Sequence, residues 1–265
     1  TILLRQKNNI NMKKYILSLI AAVMCSLSIS AQDLHTLDKE LPCINKTFSV
    51  YFHVTLDSLR TTSWDIEAME AEIAATNQYF APICAQFEIC KIDTLENWSW
   101  DSLSRDYRVD EINRLFYQEN RINIYLVDRF DDPNLCGFAN LGQIANENNA
   151  KIYIKGGCLP HEMGHLFGLL HTFEGSGVEN VDGSNCDLVG DLICDTPADP
   201  YIEDSQIQWL GDNCEFIFTG TDINGEFYQP DVGNIMSYYG CDCGFTRGQY
   251  IKMANTWLNS DRKMW

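Results

Sequence analysis

The sequence predicts an α+β fold. An N-terminal lobe with a mixed β-sheet carries the functional helix, and an irregular C-terminal lobe is stapled by disulfides. Strand-like and helix-like segments alternate through the first half of the chain, which is typical of a sheet covered by helices. Residues 172–245 are instead rich in Gly, Asp, Asn and Cys and have few periodic runs, which indicates loops held together by cross-links.

The individual elements follow from hydrophobic periodicity. Apolar residues at every second position from Phe48 to Val54 predict a strand with one buried face. A helix ending near Tyr79 follows, and Thr62 and Asp65 are predicted to form its capping box. The other predicted strands are 87–92, 122–127 and 151–155, and the other predicted helices are 109–117 and 249–258.

The charge of the chain excludes some function classes. The net charge is −18, and residues 1–31 contain four basic residues and no acid, so residues 32–265 carry −22. Such an acidic surface argues against nucleic acid or an anionic membrane as partner. It suits binding of cations such as calcium, and it suits simple solubility equally well. No stretch after the first 31 residues is long and apolar enough to span a membrane.

Residues 12–31 have the features of a secretory signal peptide. Met12 is followed by Lys13 and Lys14, then by an apolar run to Leu27 and small residues up to Ala31, after which we expect cleavage. The expected location is therefore extracellular or periplasmic. The predicted organisation is a leader over 1–31 that contains the signal peptide, with Met12 as the expected true start, then a short N-terminal or pro segment over 32–46. One domain follows over 47–265, with lobes of about 47–171 and 172–265.

Cysteine usage fits an exported protein. Removing Cys25 with the leader leaves ten cysteines, an even number that predicts disulfides. A lipid anchor on Cys25 is a minor alternative, because Met24 before it fits a lipoprotein cleavage site poorly. Near neighbours in sequence favour three pairs, and these are Cys136 with Cys158, Cys186 with Cys194, and Cys214 with either Cys241 or Cys243.

The stretch from His161 to His171 reads HExxHxxGxxH and carries the chemistry. Residues four apart on an α-helix lie on the same face, so His161 and His165 can bind one zinc ion. Around the helix axis, Glu162 is offset by about 100° from His161. Its carboxylate therefore falls beside the metal and can hold a zinc-activated water. The motif therefore predicts one catalytic zinc with Glu162 as general base.

The third ligand requires the helix to end. In a continuous helix His171 would lie roughly 9 Å along the axis from His165, too far for metal bonds of about 2 Å. Gly168 can adopt a left-handed conformation without a Cβ penalty, so we predict that the chain turns there and brings His171 to the zinc. Three unrelated histidines remain an alternative at about one in fifty, because the long motif fixes several positions at once.

A second motif, Asn234-Ile235-Met236-Ser237-Tyr238, lies downstream. The two motifs together resemble the metzincin clan of zinc endopeptidases. The resemblance implies that Met236 forms an apolar floor beneath the metal, a role physically close to that of a core methionine. It also implies that Tyr238 hydrogen-bonds the transition state near the zinc. A tyrosine simply packed in the turn is the alternative.

Within that clan the chain resembles the pappalysin family, in particular its bacterial ulilysin-like and cytophagalysin-like members. The similarity extends from about Thr47 to Leu258. It is carried by His171-Thr172-Phe173, by residues 191–197, by the methionine turn, and by Phe245-Thr246 with Gln249. The implied fold is metzincin-like, with the zinc helix at the base of a substrate cleft.

The resemblance also implies further sites. Substrate would bind extended, as a strand added to the sheet edge near 151–155. A structural calcium ion would be held by the Asp191 and Thr196 side chains and the Ile193 carbonyl, with an ordinary acidic loop as the alternative. Asp242 would select a basic residue after the cleaved bond, although the two cysteines that flank it depart from the family pattern.

The predicted function is that of a secreted zinc endopeptidase, a monomer that acts on protein or peptide substrates. The alternatives are a non-catalytic exported adhesin or inhibitor on the same zinc scaffold, and a calcium-stabilised structural domain. Glu162 argues against the first, because only catalysis needs that carboxylate. Cys43 in the short pro segment could cap the zinc as a latency thiol, but the even cysteine count favours a disulfide.

Overall fold

The computed structural model describes residues 40–103 and 107–260. The chain divides into two units, Thr1–Glu40 and Leu41–Trp265, and the fold described is that of the second. The predicted signal peptide, its start at Met12 and most of the predicted pro segment lie outside the described residues. Among the helices of the described ranges, none combines the length and the hydrophobicity that crossing a bilayer requires.

Strands and helices are interspersed along the chain, with four consecutive strands before the helix of the metal motif. In chain order they are β1 (Lys46–Thr55), α1 (Ile66–Phe80), β2 (Ala85–Leu95), β3 (Ser102–Leu103), α2 (Tyr107–Phe116), β4 (Ile122–Leu126), β5 (Arg129–Phe130), β6 (Gly137–Ala139), β7 (Lys151–Ile154), α3 (Leu159–Leu166) and α4 (Arg247–Leu258). The strands and helices predicted from periodicity are present. The strands β3, β5 and β6 were missed because two or three residues are too few to show a period.

Five strands form a mixed sheet in the order β2-β1-β4-β7-β6, which confirms the predicted mixed sheet. The first four run parallel, and β6 pairs antiparallel with β7. The predicted docking edge near 151–155 is therefore wrong. Strand β7 is paired on both sides, so its peptide groups are already used, and β6 is the edge strand on this side of the sheet.

The start of α1 also differs from the prediction. Asp65 is the N-cap itself, with extended φ −119° and ψ 175°, and its side chain accepts a hydrogen bond of 2.8 Å from Ala68 N. Thr62 instead accepts one of 3.2 Å from Trp64 N. The predicted capping box is thus wrong, because an aspartate directly before the first helical residue caps the helix without help from Thr62.

Strand β1 faces two cores, because successive side chains of a strand point to opposite sides. Phe48, Val50, Phe52 and Val54 lie in the larger core, which includes buried residues of α1, α3 and α4. The ring of Trp257 on α4 packs edge-on against Phe48 at a centroid distance of 4.9 Å. The last helix therefore returns to the sheet and contributes to the core that also contains residues of α3.

Residues 172–245 contain turns, isolated bridges and a short 3-10 helix at 212–214. The favoured disulfides Cys136–Cys158 and Cys186–Cys194 are formed, and Cys214 pairs with Cys241. Cys43 pairs with Cys84, so in this structure it is not a latency thiol. Cys90 carries a free thiol, so the even count did not mean that every cysteine is paired.

Candidate metal centre

Helix α3 carries His161 and His165, which lie four residues apart. His161 Nδ1 is 2.7 Å from the carbonyl oxygen of Ile235, and His165 Nδ1 is 2.8 Å from that of Leu169. A carbonyl oxygen can only accept, so each Nδ1 carries the proton and each Nε2 presents its lone pair. These backbone contacts fix both the tautomer and the orientation of each ring.

The chain turns back directly after α3. The helix ends at Leu166, and Gly168 has φ +92°, a conformation that favours glycine. After this turn, His171 Nε2 lies 3.0 Å from His165 Nε2. The structure thus brings together the three predicted ligands, and one ligand atom from each of His161, His165 and His171 lies within 4.8 Å of the others.

This arrangement fits a zinc ion. Burial, with His165 nearby, lowers the pKa of His161 to about 4, so its imidazole is neutral at neutral pH. Convergent Nε2 atoms whose Nδ1–H groups are held by carbonyls are typical of metal-ligating histidines. Three nitrogen ligands leave a fourth tetrahedral position for water, as in catalytic zinc sites.

Glu162 is buried, with 4% of its surface exposed, and it lines the same cleft as His161. Edge strand β6 passes directly over it. A Cβ added to Gly137 would lie 2.9 Å from Glu162 Cγ and 2.7 Å from the carbonyl oxygen of Tyr153. Gly137 was missed from the sequence, because a glycine in a three-residue strand gives no sign of what it contacts.

The methionine turn lies against α3. Met236 is fully buried, and a Cβ added to Gly164 would lie 2.5 Å from its sulfur. Asn234 Oδ1 accepts a hydrogen bond of 2.9 Å from Met236 N, and the amides of Asn234 and Gln249 exchange two hydrogen bonds of 2.9 and 3.1 Å. Gln249 also completes the capping box of Thr246, so the start of α4 holds this turn beside the histidines.

Tyr238 lies at the mouth of the site and is 38% exposed. Its ring centroid is 4.8 Å from that of His171, 5.6 Å from that of His161 and 4.8 Å from that of Phe173. The ring therefore lies beside two of the three histidines, on the side of the methionine turn.

His161 lines a cleft of about 750 Å³. Among the described residues that line the cleft there is no lysine or arginine. Apart from His161, its ionisable acid–base side chains are therefore carboxylates and tyrosines. Asp242 is exposed and lines the same cleft as His161. The acidic residues of the lining are Glu72, Glu162, Glu203, Asp204 and Asp242.

The predicted calcium ligands also lie together. Asp191 and Thr196 are buried, and neither Asp191 Oδ2 nor Thr196 Oγ1 has a hydrogen-bond partner. The Ile193 carbonyl accepts from Thr196 N at 3.0 Å, and burial raises the pKa of Asp191 to about 6. Buried oxygens without a partner suit a hard cation. Glu179, which sequence reasoning missed, is buried beside Asp191, and its pKa is raised to about 7, mainly by burial.

Comparison with known proteins decides the family. Residues 112–257, more than half of the chain, match the model of peptidase family M43, described as pregnancy-associated plasma protein-A. The chain belongs to the M43 family. Membership makes the protein a zinc metalloendopeptidase that acts on peptide substrates, and the three histidines of the motif are in place to bind the metal.

Individual relatives agree with this assignment. The chain is 26% identical over 233 residues to an extracellular metalloprotease of Arthroderma gypseum. The match covers 80% of this chain and 73% of the Arthroderma protein. It is 35% identical over 109 residues to an extracellular metalloprotease of Aspergillus fumigatus, covering 40% and 29%. Metalloproteinase-II from Bacteroides fragilis matches at 16% identity and a TM-score of 0.38, covering 52% and 46%, too little to compare the folds. Both curated relatives named here are fungal, so the bacterial ulilysin-like subtype stays a prediction.

Proposed function

We propose that this M43 metalloendopeptidase is an extracellular enzyme in which Glu162 is the general base. The observation that carries the proposal is the position of Glu162, a buried carboxylate that lines the same cleft as His161, one of three convergent imidazoles. The names of the relatives support an extracellular location. The four disulfides of the described residues suit an oxidising compartment.

Zinc, when bound, supplies a Lewis acid that lowers the pKa of water and polarises the substrate carbonyl. The rest of the chemistry belongs to the chain. The three histidines would hold the metal through Nε2. Glu162 takes the proton from the attacking water and passes it to the leaving amine. Tyr238 donates a hydrogen bond to the oxyanion that develops on the substrate carbonyl, while Met236 fills the space beneath the site.

Substrate binds extended along β6 in this proposal. Cys136 O and Asn140 N bond to β7, at 2.9 Å from Lys155 N and 3.4 Å from Lys151 O. Because adjacent residues of a strand direct their peptide groups to opposite sides, those of Gly137 and Ala139 face the free edge. They can pair with a substrate strand.

The proposed catalytic domain spans 47–265 and acts as a monomer with a metzincin-like arrangement. Its lobes of about 47–171 and 172–265 contribute the zinc helix and the methionine turn, respectively. The position of Asp242 in the cleft wall supports the ulilysin-like preference for a basic residue after the cleaved bond.

Replacement of Glu162 tests the mechanism. Glu162→Gln is expected to keep one equivalent of zinc and to lose about 10³-fold in kcat, because the proton acceptor is gone. Cleavage of a peptide library by the purified protein, followed by mass spectrometry, measures the products. Glu174→Gln, an exposed carboxylate three residues after His171, is the matched control and should cleave like the wild type. Wild-type turnover by Glu162→Gln would show that the assignment is wrong, and zinc-loaded wild-type protein without cleavage would favour the adhesin alternative.

The same library tests Asp242. The wild-type protein is expected to cut before lysine or arginine, and Asp242→Asn should still cut but with that preference reduced about tenfold, because a carboxylate that attracts the cation is lost. Wild-type products without a basic residue after the cut would refute the specificity.

We also propose that calcium binds Asp191, Thr196 and the Ile193 carbonyl. With zinc held constant, millimolar calcium should raise the Tm of the wild-type protein, because a ligand that binds only the folded state stabilises it. Asp191→Asn should show no such rise. Asp187→Asn, an exposed acid of the same loop, is the control and should respond like the wild type. An equal response from both variants would exclude the site.

A further inference from the structure

One buried carboxylate beside the metal centre is not used in the mechanism above. Asp199 is 2% exposed and accepts three hydrogen bonds. Its Oδ2 accepts from Thr172 Oγ1 at 2.7 Å, and its Oδ1 accepts from Tyr239 OH at 2.7 Å and from Tyr201 N at 3.0 Å. A carboxylate that accepts several bonds away from water holds its donors more firmly than a neutral acceptor does.

Two of the donors to Asp199 are the chain neighbours of residues in the metal centre. Thr172 directly follows the ligand His171, and Tyr239 directly follows Tyr238. The backbone of Thr172 also donates to the carbonyl oxygen of Met236 at 3.2 Å. Asp199 therefore joins the segment of the third zinc ligand to the turn that carries the proposed oxyanion donor.

Aromatic packing joins the same segments. Tyr238 lines the cleft and is 38% exposed, and its ring contacts that of His171 at 4.8 Å. The ring of Tyr201 packs on this turn, 6.0 Å from the ring of Tyr238 and 5.4 Å from that of Tyr239. The Tyr201 backbone is in turn held by Asp199.

We propose that Asp199 is a positioning residue that fixes Tyr238 relative to His171, so that the Tyr238 hydroxyl stays directed at the metal centre. This rests on the proposed role of Tyr238. The role is geometric, because Asp199 acts through hydrogen bonds to two hydroxyls and one N–H and has no need to reach the substrate.

Removal of the carboxylate should affect turnover more than binding. Asp199→Ala is expected to lower kcat by 10- to 100-fold, a loss typical of residues that orient the groups around a metal, with KM within about threefold of the wild type. Asp199→Asn should restore kcat to within about fivefold, because its oxygen still accepts from Tyr239 and Tyr201 and its amide can donate to Thr172 Oγ1. Unchanged kcat in Asp199→Ala would overturn the proposal.

A double-mutant cycle separates positioning from general support of the fold. If Asp199 acts through Tyr238, adding Asp199→Ala to Tyr238→Phe should cost less than about threefold more in kcat. A full additional loss in the double variant would mean a structural role only. Wild-type turnover by Tyr238→Phe alone would refute the role of Tyr238 and, with it, this inference. Loss in Tyr238→Phe without loss in Asp199→Ala would refute only the positioning.

A milder variant covers the case in which Asp199→Ala does not fold. Tyr239→Phe removes one of the three hydrogen bonds and is expected to lower kcat by about three- to tenfold. Tyr228→Phe is the matched control, since Tyr228 donates to the Gly177 carbonyl at 3.1 Å in the same lobe, and it should turn over like the wild type. Zinc affinity from chelator competition should stay within about threefold in Tyr239→Phe, because the imidazole contacts are intact. An equal loss of kcat in both tyrosine variants would overturn the proposal.

Discussion

At the scale of single residues, glycines set the distances around the metal centre. Gly168 provides the positive φ that ends α3 and returns His171 to the other ligands. Gly164 and Gly137 act by close approach, since an added Cβ would meet the Met236 sulfur or the Glu162 side chain. At Gly164 and Gly137 a side chain would therefore displace a neighbouring residue of the site, whereas Gly168 is required by its backbone conformation.

Gly137→Ala tests this at Glu162, the proposed general base. The new methyl group would lie 2.9 Å from Glu162 Cγ, so either Glu162 or β6 must shift. We expect kcat to fall by about 10- to 100-fold, because small displacements of a catalytic group carry large costs, while zinc stays bound. Steady-state kinetics with zinc analysis measures both. Gly244→Ala is the control, since its Cβ would meet no atom within 4 Å. Similar kinetics of the two variants would count against the argument.

At the scale of elements, the start of α3 depends on another helix. Its own N-cap residue, Cys158, makes no side-chain cap. Glu72 on α1 accepts hydrogen bonds from Gly157 N at 2.6 Å and Leu159 N at 3.2 Å. A carboxylate at a helix N-terminus satisfies free N–H groups and interacts favourably with the helix dipole. Packing of α1 on α3 therefore also places the metal motif.

Glu72→Ala is expected to lower the free energy of unfolding by about 1–2 kcal/mol, the usual cost of losing a cap. Urea denaturation measures it. The matched control is Glu70→Ala, an exposed position of the same helix, which should change stability by less than about 0.5 kcal/mol. If the two variants were equally stable, Glu72 would not be a cap.

At the scale of the whole molecule, the central sheet separates the core of the metal centre from a second core. His53 of β1 lies on the second side, 1% exposed, with its ring stacked between those of Tyr51 and Tyr125 at 4.6 and 4.5 Å. Its Nε2 donates to Asn123 Oδ1 at 2.9 Å. Burial lowers the pKa of His53 to about 4, so the folded protein keeps this ring neutral.

This burial makes stability depend on pH. Between about pH 6.5 and pH 4 the unfolded chain binds a proton at His53 that the folded protein excludes, so stability falls as the pH falls through this range. We expect the wild type to lose about 1–2 kcal/mol more than His53→Gln between pH 7 and pH 5. Urea denaturation of both proteins at the two pH values measures the difference. Equal losses would show that His53 is not responsible.

A feature could be predicted from the sequence when its residues lie close together along the chain. His161, Glu162, His165, Gly168 and His171 fall within eleven residues, so helix geometry alone was enough to propose a common metal site. The strands with regular alternation were predicted for the same reason. The substrate edge was predicted wrongly, because periodicity shows which face of a strand is buried but not which strand pairs with it.

The sequence by itself determined the metal motif and the succession of the regular strands and helices, and it favoured the disulfides Cys136–Cys158 and Cys186–Cys194, because each depends on spacing along the chain. Only the tertiary structure showed β6 as the free edge, Gly137 over Glu162, Glu72 at the start of α3 and Asp199 between His171 and Tyr238. These contacts join segments far apart in sequence. A local pattern records that a side chain is polar or small, and only the packed fold decides which partner it contacts.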